Sequence, residues 1–179
     1  MSSMSAGNAC HPGDARLLSS ILARYPEIGS VDYCPRAGRF RFAFLLLGTG
    51  LDMPAFASRL RDSLKSYSFV TGWPVELLNI DWTEERGMTF LWVERDVSTL
   101  RPEELRLLTG LVRQAFSGRL VLDESGDGME FDGPMQDELI AHMLEDLRQA
   151  RRSRPMVGFR RAGQVVVYPR RALVSEPNR

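Results

Sequence analysis

Lysine, histidine and cysteine are all scarce in this chain of 179 residues. It holds one lysine, Lys65, two histidines, His11 and His142, and two cysteines, Cys10 and Cys34. Two cysteines make no disulfide framework of the kind that staples small secreted domains. The four His and Cys side chains match no zinc-chelating spacing, so no metal and no cofactor is expected. His142 does have Glu138 four residues before it and Asp146 four after, on one helical face. A carboxylate-bridged metal pair needs a second helix with the same motif, and the sequence has none, so a solvated face is expected there. The 22 arginines set against one lysine run through the whole chain, which reads as coding bias before it reads as phosphate chemistry.

Net charge and long apolar runs are missing too. Basic and acidic residues balance at 23 each, for a pI near 6.7, unlike the net basic domain of a dedicated nucleic-acid binder. The longest apolar stretch, Phe40–Leu47, is interrupted by Arg41 and falls far short of the ~20 residues that a membrane span needs. The first residues are small and polar, with no basic region followed by an apolar one. A cytoplasmic location follows as the expectation, with no membrane partner. Catalytic motifs are equally wanting. There is no Gly-x-Ser-x-Gly and no His-Glu-x-x-His. Gly48-Thr49-Gly50 lies between a strand and a helix but lacks the lysine or third glycine of a phosphate cradle. Asp123-Glu124-Ser125-Gly126-Asp127-Gly128 has oxygen ligands at the wrong intervals for a calcium loop. No catalytic role is expected.

What remains is a composition that is 44% hydrophobic and 26% charged, ordinary for a globular domain able to bury its own core. Hydrophobic periodicity organises it. Asp14 reads as the N-cap of a helix striped by Leu17, Leu18, Ile21, Leu22 and Tyr25, which Pro26 ends. Residues 31–34 and 39–47 read as a hairpin around Pro35-Arg36-Ala37-Gly38, with Phe40, Phe42, Phe44 and Leu46 on one face and Arg41 and Ala43 on the other. Asp52 caps a second helix, striped from Met53 to Tyr67. Residues 75–82 and 88–95 read as a second hairpin around the loop 83–87. Pro102 opens a third helix that Gly118 stops, and 119–122 with 129–131 read as a short strand pair. Pro134 opens a fourth helix, and 156–160 with 164–168 make a last hairpin around Arg161-Ala162-Gly163.

The expected architecture is α+β, made of αββ units, with antiparallel sheet and helices on one face. Its middle block, 39–82, reads as a split βαβ unit of ferredoxin-like kind. The expected division is a leader over 1–13, an α+β core over 14–132, a C-terminal helix plus basic hairpin over 133–171, and a tail over 172–179.

One asymmetry stands out. Residues 1–147 carry a net charge of −8 and residues 148–179 a net of +8. Helix electrostatics accounts for part of it, with Asp137 and Glu138 near the start of the fourth helix and Arg148, Arg151 and Arg152 near its end. The remainder points to a contact surface made of Arg148, Arg151, Arg152, Arg154, Arg160, Arg161, Arg170 and Arg171. The expected function is therefore non-enzymatic: a binding or adapter protein that meets a protein partner or a second copy of itself. The alternative is an RNA- or DNA-associated protein, with the same arginines on phosphate and Phe159 and Tyr168 as stacking rings. Trp82, Trp92 and Phe90 are also candidates for an aromatic pocket, against the plainer reading of a core beneath the helices.

Overall fold

The computed structural model describes residues 12–122, 133–150 and 153–170. These form helices α1 (Pro12–Arg24), α2 (Met53–Thr71), α3 (Pro102–Ala115) and α4 (Gly133–Gln149). The strands are β1 (Ser30–Cys34), β2 (Arg39–Leu47), β3 (Leu78–Glu85), β4 (Met88–Asp96), β5 (Met156–Arg161) and β6 (Gln164–Pro169). The strands make one antiparallel sheet in the order β3-β4-β2-β1-β5-β6, with the helices packed on it in a mixed α+β fold. Strand β4 lies between β2 and β3, so β2–α2–β3 is the split crossover expected of the middle block.

Strand β2 forms because its nine residues alternate, and its even-numbered side chains Phe40, Phe42, Phe44 and Leu46 are each at most 1% exposed. Burying each contributes roughly 1.5–3 kcal/mol. Against them pack Leu91 and Val93 of β4, Val31 and Tyr33 of β1, and the inward stripes of all four helices. Helix α1 comes especially close to β5. A Cβ on Gly158 would lie 2.9 Å from Leu22 Cδ1, so glycine permits the approach. The segment expected as a C-terminal addition therefore joins the common core. Ile140, Leu144 and Leu147 of α4 and Met156 of β5 are all buried in it.

Several boundaries differ from the sequence reading. Helix α1 starts at Pro12, which suits a first-turn position, so Asp14 lies inside the helix and not at its N-cap. Strand β3 runs three residues further than the expected end, through Glu85, and its turn to β4 is only Arg86-Gly87, both at positive φ. The polar run Thr83-Glu84-Glu85 is compatible with a strand because β3 is an edge. Residues 119–121 lie along the sheet. They pair with the far end of β2 through Val121 N–H to the Leu45 carbonyl (2.9 Å) and Leu47 N–H to the Arg119 carbonyl (2.7 Å). Their expected partner, 129–131, lies outside the described residues, as do residues 1–11 of the expected leader 1–13 and the loop 123–128, whereas Pro12 and Gly13 belong to α1.

A buried charge cluster ties the end of β4 to α3. The Arg95 guanidinium, 1% exposed, donates to the Leu77 carbonyl (2.7 Å), to both carboxylate oxygens of Glu104 and to Asp96. Asp96 in turn accepts from Ser98 Oγ (2.8 Å), the Thr99 hydroxyl and the backbone N–H groups of Thr99 (2.8 Å) and Leu77 (3.0 Å). Burial by itself raises the Asp96 pKa, but these donors and Arg95 outweigh it and hold the carboxyl below its usual range. A carboxylate whose folded pKa is depressed adds stability above its unfolded pKa, near about 3.9, and that stability is lost as pH falls below it. Arg95→Met leaves two buried carboxylates without their cation. The expected cost is about 3–5 kcal/mol at neutral pH, a deficit that shrinks as pH falls toward about 4. Urea unfolding at the two pH values measures both, and a cost below about 1 kcal/mol at neutral pH would contradict the cluster's structural role.

Candidate functional site

The alternation that buries one face of the sheet fixes what the other face displays. Buried residues lie on the odd positions of β1 and β4 and the even positions of β2, β3 and β5. The complementary positions form an open face, on which the middle strands present Ala43, Leu45, Leu47, Phe90 and Trp92. The Phe90 and Trp92 rings stack with centroids 6.1 Å apart, and Arg41 lies over Trp92 at 4.7 Å. Further along, Phe159 of β5 and Tyr168 of β6 form a second ring pair at 5.9 Å, with Tyr168 52% exposed.

A cleft of about 510 Å³ opens at one end of this face. Strand β1 is shorter than β2 and stops opposite Ala43, while residues 119–121 take up pairing with β2 only from Leu45 onward. The cleft in the gap between them is lined by Ala43, Leu45 and Phe90 of the sheet together with Gly29, Val121, Leu122, Arg160 and Ala162. Val121 and Leu122 are 36% and 40% exposed and so remain available to a visitor.

The aromatic trio read from the sequence is divided. Phe90 and Trp92 share the open face, whereas Trp82 sits opposite Leu91 and packs against the core on the helix side. Trp73 lies elsewhere, past the end of α2, with the Arg101 guanidinium over its ring. The arginines are divided as well. Arg148 points back into the fold, donating to the carbonyls of Val97 (3.0 Å) and Leu100 and to Glu145 (3.2 Å). Arg170 reaches Asp32 at 3.1 Å. Arg160 lines the cleft, Arg161 is exposed at the β5–β6 turn, and Arg154 is half-buried at the other end of the hairpin beside Pro155. Arg151, Arg152 and Arg171 lie outside the described residues.

Asp123 to Asp146 holds nine acidic residues and no basic one, and of these Asp137 bonds Arg24 (3.1 Å) and the Tyr25 hydroxyl (3.0 Å), joining α4 to α1. His142, Glu138 and Asp146 are all exposed, and no metal-holding group of His, Cys, Asp or Glu exists among the described residues. At Gly48-Thr49-Gly50 the Gly50 N–H donates to Glu84 Oε1 at 2.7 Å, so a carboxylate of the chain itself takes the amide. No helix among the described residues is long and apolar enough to cross a membrane.

Leu45, Leu47, Val121 and Leu122 are the site residues that the sequence reading missed. For the first two the signal was present, because the strand that buries Phe44 and Leu46 must turn Leu45 and Leu47 the other way. The cleft itself depends on the unequal lengths of β1 and β2, which no local pattern encodes. Compared with known proteins, the chain matches no family model, no curated protein and no solved structure.

The turn that borders the cleft carries backbone strain. Ala162 has φ 48° and Gly163 φ 77°, the left-handed pair of a two-residue hairpin. A left-handed non-glycine residue costs roughly 1–2 kcal/mol. Ala162→Gly is expected to raise stability by about 0.5–1 kcal/mol, less than the full strain because glycine also gains freedom when unfolded. Thermal unfolding checks this, and a lowered melting temperature would contradict it.

Proposed function

We infer that this is a non-enzymatic binding protein whose open sheet face receives a polypeptide partner. The observation that carries the reading is the apolar character of the outward positions on β2 and β4, where Leu45, Leu47, Phe90 and Trp92 stand. An antiparallel sheet covered on one side normally alternates apolar inward with polar outward. Contiguous apolar surface on the solvent side marks a place of contact. The cleft beside it, about 510 Å³, has room for one large apolar side chain. Arg161, exposed at the adjoining turn, favours an acidic group next to that anchor. The partner class is thus a polypeptide segment with an apolar anchor beside Asp or Glu, met in the cytoplasm.

A single-stranded nucleic acid is the competing occupant, favoured by the Phe159–Tyr168 ring pair with Arg161 nearby. Against it, the positive charge of the face is partly neutralised within the chain. Glu94 takes Arg39 at 3.2 Å and Arg41 at 3.9 Å, and Asp32 takes Arg170.

Panning displayed random peptides against the protein separates the two. The expected selection is for Leu, Phe or Trp beside acidic residues, with binding that the Leu45→Ser, Phe90→Ser double change weakens at least about tenfold. Selected peptides indifferent to that change would overturn the reading. So would a failure to select any, alongside RNA binding that falls steeply with salt.

A further inference from the structure

The two edges of the sheet are built differently. Strand β3 carries Asp81, Glu84 and Glu85, charges that discourage a further strand from pairing. Strand β6, Gln-Val-Val-Val-Tyr-Pro, has none, and it pairs with β5 without a bulge over its whole length. Among the described residues nothing pairs with its other side.

Two hydrogen bonds fix which groups that side presents. Arg170 N–H donates to the Pro155 carbonyl at 2.7 Å, beyond the end of β5–β6 pairing, and Arg160 N–H donates toward β1, to the Gly29 carbonyl at 3.1 Å. Successive residues of a strand aim their backbone groups to alternate sides. Even-numbered residues of β6 therefore bond to β5, while Val165 and Val167 hold their N–H and C=O groups outward. Pro169 takes the next outward position, where it has no N–H to offer.

We propose that this edge pairs antiparallel with the same edge of a second copy, the Val166 side chains meeting across a two-fold axis. That register sets Val165 opposite the copy's Val167, and the four hydrogen bonds of the two such pairs use every outward N–H and C=O of the four valines. Moving the axis toward Pro169 loses a donor, and moving it toward Gly163 requires a residue at φ 77° to serve as strand. The edge suits its own copy in side chains also. Valine meets valine on both faces, Gln164 meets Tyr168, and no charge within the strand opposes its like. The two open faces become one continuous surface on a twelve-stranded sheet, twice the six of one chain. Arg161 of each copy comes near Arg170 of the other, which Asp32 already pairs, so added salt is expected to alter the pairing little, unlike its effect on nucleic-acid binding. The inference rests on the reading of this protein as one that acts through polypeptide contact, and it names one such partner at an edge separate from the cleft.

The test uses the full chain with Cys10→Ser and Cys34→Ser. In the paired register the Val166 Cα atoms stand about 4.5 Å apart, within reach of a disulfide. Val166→Cys is therefore expected to give a covalent dimer under mild oxidation. Gln164→Cys, whose copies stand roughly 13 Å apart, is expected to stay monomeric on gels. Val167→Pro removes an outward donor and leaves the β5 ladder intact. By sedimentation equilibrium it is expected to weaken dimerisation at least about tenfold, with some loss of melting temperature because the Val167 side chain also packs against the core. A parent chain that stays monomeric at high micromolar concentration overturns the proposal. A dimer indifferent to Val167→Pro, with no preferential crosslink at Val166→Cys, overturns it as well. Peptide selection by a chain shown to be monomeric would leave the cleft reading standing. A dimer that selects no peptides would do the reverse.

Discussion

Phe40, Phe42, Phe44 and Leu46 point from one strand into one core, and the rest of the molecule is registered against them. Strand β2 lies in the interior of the sheet, pairs with β4 along all nine of its residues and with β1 along five. The helices bury their stripes against that face because a one-residue slip of β2 would exchange its phenylalanines for Arg39 and Arg41. The same constraint, carried across one strand on each side, places Val31, Leu91 and Val93 in the core and determines where α1 and α2 settle. It also explains why Gly158 is small. With the sheet plane set by β2, α1 reaches β5 only if no Cβ stands between them.

The outward face follows from the same constraint. Once the even residues of β2 are inside, Ala43, Leu45 and Leu47 must be outside, and Phe90 and Trp92 follow because Ala43 pairs with Trp92 and Leu45 with Phe90. An open face that is apolar at its centre is thus not a loose collection of exposed residues but the reverse side of the core register. Its cleft arises where β1 ends early and the chain after α3 completes the pairing with β2 instead.

Local patterns in the sequence carried the helices, the β2 alternation and the glycine turns, because each rests on neighbours within a few residues. Pairing between distant segments was not legible. Nothing near Val31 or Met156 encodes that β1 and β5 lie side by side, and without that pairing the terminal hairpin reads as an addition when it is part of the sheet. The tryptophans illustrate the cost of a small boundary error. With a five-residue loop assumed at 83–87, the parity relating Trp82 to Trp92 is open. With the turn reduced to Arg86-Gly87, Asp81 faces Trp92, and Trp82 must lie on the other side of the sheet. A positive-φ glycine at the second place of a turn, between two alternating runs, was the signal that favoured the shorter turn.

Charge was the least transferable signal. The sequence places an acidic block, 123–146, before a basic one, and the two together suggest a contact surface. In the fold, Asp137 serves the α1–α4 junction through Arg24 and Tyr25, and Arg148 closes the carbonyls of Val97 and Leu100 at the approach to α3. A guanidinium has five donors and a long stem, so an arginine near a helix end readily finds free carbonyls inside its own chain. A count of arginines along a sequence therefore overstates the charge available to a partner. What reaches solvent is set by which strands and helices end nearby, and among the described residues of the cluster Arg161, at the β5–β6 turn beside the apolar cleft, is exposed. For the proposed polypeptide partner, an apolar cavity with a cation near its rim selects on two features at once, an anchor that fills the cavity and an acid placed beside it.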